Sequence, residues 1–245
     1  MESGTKVNIY KNITILYEDN HLIVCIKPEG ILSQKDDTDE ADMLTVLKEY
    51  LKVTYNKQGN VYLGLVHRLD RRVSGVMVFA KTSKAASRLS SEIRENTIKK
   101  TYYAVASGAI NGSGRLENKL AKVNERAVET NDGKTAILDY EVLKSFKINN
   151  KDYTLLKVLL HTGRFNQIRA QFSLFNHPLI NDYKYGYSIK DNSNDYSHIG
   201  LFCVELSFIH PVTKELLTFT YDEVINRTIE DWINFFMNGV SKYEK

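Results

Sequence analysis

The 245-residue sequence predicts an α+β fold, a mixed and mostly antiparallel central sheet flanked by helices and loops. Three features lead there. Apolar residues alternate at every second position in three stretches: Leu138, Tyr140 and Val142; Phe202, Val204, Leu206 and Phe208; and Leu217, Phe219 and Tyr221. That is the pattern of strands with one face buried. Elsewhere they recur at helical spacing, as in Leu44, Leu47 and Leu51, in Ala86, Leu89 and Ile93, and in Ile229, Trp232, Ile233 and Phe236. A content of 42% hydrophobic and 26% charged residues is enough for a sizeable core without covalent staples.

Taken from the N-terminus, residues 14–17 and 22–27 read as two short strands joined by the turn-forming Glu18-Asp19-Asn20-His21, a hairpin. An acidic linker follows, then an amphipathic helix over 42–51 with Asp42 as its N-cap. Residues 75–80 look like a buried strand, 83–96 a helix and 100–106 a strand again. Gly163 opens a turn into a helix-compatible run, 167–175. Asp191 to Asp195 reads as an exposed loop, His210 to Lys214 as the turn between two strands, and the chain closes on a helix. There is no internal repeat and no long linker, so we expect a tail over 1–12 and a single domain over 13–245.

Cys25 and Cys203 each lie within an apolar run and read as core thiols; two cysteines build neither a disulfide framework nor a four-cysteine zinc site. The polar N-terminus lacks the apolar stretch of a secretory signal, and no apolar run reaches the roughly 20 residues of a membrane span. The expected setting is the cytoplasm. Net charge is only +3, but its distribution is uneven. From His67 to Lys100 nine basic residues face three acidic ones, and from Glu215 onward six acidic residues face three basic ones. One face suited to a phosphate backbone is one explanation, and two ordinary solvated surfaces are the other.

Two segments carry candidate chemistry. His67-Arg-Leu-Asp-Arg-Arg-Val-Ser-Gly75 is polar and directly precedes an apolar strand, a position where loops host function. Taken alone, an Asp among three arginines is more often a surface ion pair. Gly163-Arg-Phe-Asn-Gln-Ile-Arg-Ala-Gln171 puts Arg164 and Arg169 where they can reach a pocket, with a solvated helix face as the plainer alternative.

The two segments do not stand alone. Leu16-Tyr-Glu-Asp-Asn20 and Lys27-Pro-Glu-Gly30 precede His67-Arg-Leu-Asp70 with Ser74-Gly75 and Ala80-Lys81. Lys100-Thr-Tyr102, Gly163-Arg164 with Gln167-Ile-Arg169, His177-Pro178 with Asp182 and Tyr185-Gly186, and His210-Pro211 follow. In this order the series resembles the RluA-type RNA pseudouridine synthases, from Ile15 to about Thr220.

The resemblance implies the pseudouridine synthase fold, with an active-site cleft on one face. It also implies an activity: a uracil is detached from its ribose within RNA, turned, and rejoined through a ring carbon. No cofactor and no metal is implied. The target nucleotide leaves the stack, which is least costly in loops and bulges, so the partner is structured RNA, ribosomal or transfer, with no obligatory protein partner. By motif position Asp70 is the catalytic carboxylate, acting either as nucleophile or as base. Arg169 is the pocket arginine that keeps it ionised and aimed. Tyr102 is the pocket tyrosine, whose ring can stack on the detached base and whose hydroxyl can assist proton removal. Arg68 fills the space left by the extruded base. His67, Arg71, Arg164 and Gln167 are the remaining candidate RNA contacts.

Phe165, Asn166 and Gln171 depart from the Thr-His pair and the later His common in that family, and Val73 and Asn181 from a frequent Thr and Gly. With only a dozen residues before Ile13, the accessory N-terminal RNA-binding domain of some relatives is not expected. Two other classes compete with the isomerase. One is an RNA-binding or RNA-folding factor that keeps the scaffold without the chemistry. The other is a hydrolase using Asp70 with His67, disfavoured because no Ser or Cys nucleophile motif and no zinc-ligand spacing accompany them.

Overall fold

The computed structural model describes residues 13–38, 40–187 and 198–237; the expected N-terminal tail and the 191–195 loop lie outside them. The chain divides into two compact units. The first comprises Met1–Ile98 and Phe208–Phe219, the second Lys99–Ser207 and Thr220–Lys245. No helix among the described residues is long and apolar enough to cross a membrane.

The first unit starts with the expected hairpin, β1 (Ile15–Glu18) and β2 (Leu22–Lys27). Asp19 makes its turn by accepting the backbone N–H groups of His21 and Leu22 at 2.7 and 2.6 Å. The helix α1 (Met43–Thr54) is capped by Asp42, whose side chain accepts from the Thr45 N–H. After the two-residue strand β3 (Gly64–Leu65) comes β4 (Ser74–Ala80), buried along its whole length. The helix α2 (Ser83–Arg94) follows, capped by Thr82 and ended by Asn96 at φ 55°. β2 and β3 both pair antiparallel with β4. Leu22 to Cys25, Val76 to Phe79, Met43, Leu47, Leu51 and Leu89 are fully buried. At about 1.5–3 kcal/mol for each large apolar side chain, burying these residues is the main stabilising contribution to this unit.

The second unit is built on antiparallel strands that do not follow chain order. Its order is β10 (Leu201–Ile209), β5 (Lys99–Ser107), β9 (Lys151–Leu160), β8 (Lys134–Ile148), β6 (Ser113–Val123) and β7 (Arg126–Glu129), antiparallel throughout. Two hairpins turn on residue pairs at positive φ. These are Asn124 and Glu125 at 45° and 60°, and Asn149 and Asn150 at 48° and 63°. The helix α3 (Gln167–Leu174) leads to a single 3₁₀ turn, Tyr183–Tyr185. β11 (Leu216–Thr220) and the short α4 (Asp222–Ile225) come before the closing helix α5 (Ile229–Met237). Trp232, 1% exposed, packs edge-on to Phe202 at 5.3 Å and anchors α5 on a core that includes Val105, Val204 and Val224.

Candidate active site

The backbone of the loop bearing Asp70 is held at several points. The Ser33 hydroxyl donates to the Leu69 carbonyl at 2.7 Å and accepts the Leu69 N–H at 3.1 Å. The Gly30 N–H donates to the Arg71 carbonyl, and the Val73 N–H closes a turn onto the Asp70 carbonyl, both at 3.0 Å. Beneath them lies Lys27, fully buried, with Nζ donating to the carbonyls of Pro28, Arg71 and Val73 at 2.9, 3.1 and 2.8 Å. Removal from water pulls this ammonium down to about 7, against the smaller upward pull of Glu29 and Asp70. At the end of the loop Gly75 pairs with Lys27 at φ 140°, a backbone geometry that favours glycine. Asp70 itself is half-buried at the centre of this frame.

The other residues of this loop divide into braces and exposed groups. His67 accepts the Val78 N–H through Nε2 at 3.1 Å, which ties the loop's start to β4 and makes that nitrogen an acceptor. Arg68 is exposed. Arg71 is exposed too, but it donates to the Gly30 carbonyl and pairs with Glu40 at 2.8 Å. The basic stretch from 67 to 100 is therefore partly structural. Lys81 pairs with Glu18 at 2.6 Å with both side chains about 10% exposed, and Arg88 donates to the Pro211 carbonyl. His210, 1% exposed, faces Asp19 through Nε2 at 2.9 Å, while Nδ1 accepts the N–H groups of Val212 and Thr213.

In the second unit, β5 presents Tyr102 two residues after Lys100, so both lie on one face of the strand. Tyr102 is 6% exposed and hydrogen-bonds toward the Cys203 thiol, which burial pushes up to about 12. Lys100 reaches the start of the Gly163-Arg164 segment, its Nζ 3.5 Å from where a side chain on Gly163 would begin, and desolvation lowers its pKa.

The helix α3 is not the solvated face that its charges allowed: Gln167 to Phe172 are all buried. Its polar groups are buried because each finds a partner. The Gln167 amide accepts from the Thr162 hydroxyl and the Arg164 N–H, and donates to the Ile137 carbonyl and to Gln171. Gln171 in turn donates to the Ala136 and Leu116 carbonyls. Gln167 is thus placed as a brace that sets the backbone of Arg164, whose Nε donates to the Thr135 carbonyl.

Arg169 forms a two-pronged pair with Asp182, Nε to Oδ2 at 2.7 Å and Nη2 to Oδ1 at 2.8 Å, with the side chains 8% and 0% exposed. Its guanidinium lies 5.0 Å from the Tyr185 ring centroid. Asp182, Tyr185, Lys27 and Ser33 are the supporting residues that sequence reasoning did not single out. Three of them stand inside the quoted motifs, and that was the one available signal.

The family model described as RNA pseudouridylate synthase matches residues 21–174. The chain is 32% identical over 225 residues to the tRNA pseudouridine synthase C of Haemophilus influenzae, covering 85% of this chain and 92% of that one. It is 30% identical to the ribosomal large subunit pseudouridine synthase C of Buchnera aphidicola, covering 94% and 74%. Among solved structures, human RNA pseudouridylate synthase domain containing 4 superposes with a TM-score of 0.72 at 20% identity, covering 94% of this chain and 95% of that chain. The chain belongs to the RNA pseudouridylate synthase family, in its RluA type. It is an isomerase acting on RNA, and the α+β fold with its mostly antiparallel strands is that of the family.

Proposed function

We propose that the chain isomerises specific uridines in a structured RNA, ribosomal or transfer, with Asp70 as the essential carboxylate. The bond between uracil N1 and ribose C1′ breaks, the base turns, and C5 bonds to C1′. The proton lost from C5 is balanced by one gained at N1, so the rearrangement needs no oxidant or reductant. Asp70 starts this either by attacking the nucleoside or by removing a ribose proton. Arg169 is its counter-ion, and Tyr102 stacks on the detached base. Arg68 takes the vacated place in the RNA, while Arg71 and Arg164 meet its phosphates. His67 and Gln167 serve the RNA side by holding the segments that carry Arg68 and Arg164.

The observation that supports Asp70 most directly is the frame around it. Hydrogen bonds from Ser33, Gly30 and Lys27 fix the backbone on both sides of a half-buried carboxylate. That is the preorganisation a reacting group needs. Relatives named for transfer RNA and for the large ribosomal subunit both resemble this chain. The working compartment is the cytoplasm, where both RNAs are found.

The test uses RNA labelled with tritium at uracil C5, taken from a strain lacking the protein. The wild-type chain releases tritium, and Asp70→Asn releases none while keeping its urea midpoint. Mapping pseudouridines with and without the gene identifies the RNA. No release from any ribosomal or transfer RNA, or full activity in Asp70→Asn, overturns the proposal.

A further inference from the structure

Between Arg164 and the buried helix α3, one large aromatic points outward. Phe165 is 37% exposed, and two ammonium groups sit over its ring: Lys122 Nζ at 4.8 Å and Lys184 Nζ at 5.8 Å from the centroid. Burial does not explain this ring. The neighbouring residue explains how it is held. Asn166 adopts a left-handed backbone, φ 47° and ψ 31°, which asparagine tolerates better than most residues. It is 9% exposed, and its Nδ2 donates to the Tyr185 hydroxyl at 3.1 Å. That hydroxyl also accepts the Ala127 N–H at 2.7 Å, and the Tyr185 ring lies under the Arg169 guanidinium. Phe165 and Asn166, both departures from the usual family pattern, therefore act together. Asn166 is locked inward, and the chain reversal at its left-handed backbone presents Phe165 to solvent.

We propose that Phe165, flanked by Lys122 and Lys184, is a stacking platform for an unpaired nucleobase of the substrate RNA. This rests on the reading that the chain acts on RNA. The occupant follows from chemistry and charge. A base offers a π-face to the phenyl ring, and its strand carries phosphates to the two lysines. Lys122 is paired with the exposed Glu125 at 2.6 Å, a contact that solvent screening makes easy to exchange for a phosphate. An apolar protein segment would gain nothing from the two ammonium groups, and an acidic one would gain nothing from the ring's face. The platform recognises single-stranded RNA without reading base identity, so it selects a flanking loop and not a sequence.

The test measures KM in the tritium-release assay and Kd by filter binding on the same RNA from the deletion strain. Because the ring is exposed, Phe165→Ala, Phe165→Leu and Phe165→Trp should all fold, which urea midpoints check. Loss of one stacked base raises KM and Kd by about 10-fold in Phe165→Ala. Phe165→Leu keeps apolar bulk without a π-face and stays weak, whereas Phe165→Trp restores binding. In Lys122→Ala with Lys184→Ala, the slope of log Kd against log salt falls by about 1 to 2. Wild type that binds this RNA but releases no tritium sinks the synthase reading. An active wild type matched in both KM and Kd by Phe165→Leu sinks the platform.

Discussion

Replacing Asp182 with Asn keeps the side-chain volume and removes the charge that faces Arg169. In the native protein the two carboxylate oxygens accept from Nε and Nη2 at 2.7 and 2.8 Å, in a site where the carboxylate has no exposure. An amide can satisfy only one prong and turns its own donor toward the other, so the buried guanidinium loses the charge of this partner. Breaking a buried pair in this way costs about 3–5 kcal/mol. For a chain of this length each kcal/mol moves Tm by roughly 2–4 °C, so a fall of about 10 °C is expected. Urea denaturation followed by circular dichroism, at constant m, reads the same loss as a lower midpoint. The double variant Arg169→Met with Asp182→Leu removes both charges and fills the space with apolar atoms. Its stability should return to within about 2 kcal/mol of wild type or exceed it. Its tritium release should be lost even so, because the proposed counter-ion of Asp70 is gone. The reasoning is refuted if Asp182→Asn loses less than about 1 kcal/mol, or if the double variant is no more stable than the single.

Lys27 and the cysteines give two further tests. In the folded state Lys27 gives up its proton near 7, whereas in the unfolded chain it holds it to about its ordinary 10.5. Between those values the unfolded state binds more protons, so this group's contribution to stability rises with pH, by up to about 1.4 kcal/mol per unit. It is lost as pH falls toward 7. Lys27→Met should flatten that slope in urea midpoints taken at pH 7, 8 and 9, and equal slopes would count against it. It should also lower kcat, since the Arg71 and Val73 carbonyls lose the donor that fixes the loop after Asp70. Cys25 and Cys203 have no exposure, and burial raises both thiols above their ordinary range. A thiol reagent should therefore label neither in the native protein and both in urea; fast native labelling would contradict the packing.

The elements visible in the sequence were those whose pattern is set locally. Asp42 and Thr82 cap helices that bury one face, and β10 is held in a core that demands apolar side chains along most of its length. The strands β6, β7 and β9 were missed. β6 alternates between exposed and half-exposed positions, so its apolar contrast is weak. Its hairpin with β7 turns on Asn124 and Glu125, and the β8–β9 hairpin on Asn149 and Asn150, without the glycine that marks such turns most clearly. For α3, helical spacing gave the element but not its environment. Arg169, Gln167 and Gln171 look like a wet face until their partners, Asp182, Ile137 and Ala136, are known. The loop bearing Asp70 was legible through its motif. Its frame was not, because Ser33 and Lys27 meet it from 36 and 44 residues away in sequence.

Each compact unit is assembled from two separated stretches, because the polypeptide passes from the second unit to the first inside β10 and returns inside β11. During synthesis the first unit has to wait for Phe208–Phe219, which carries the His210 partner of Asp19, before it can close. By then every residue of the second unit has been made except the stretch that begins at Thr220 and holds Trp232. The last stretches of the two halves thus follow one another directly along the chain. A ribosome stalled before residue 208 would leave both unfinished, and neither can be produced alone by a single cut in the gene.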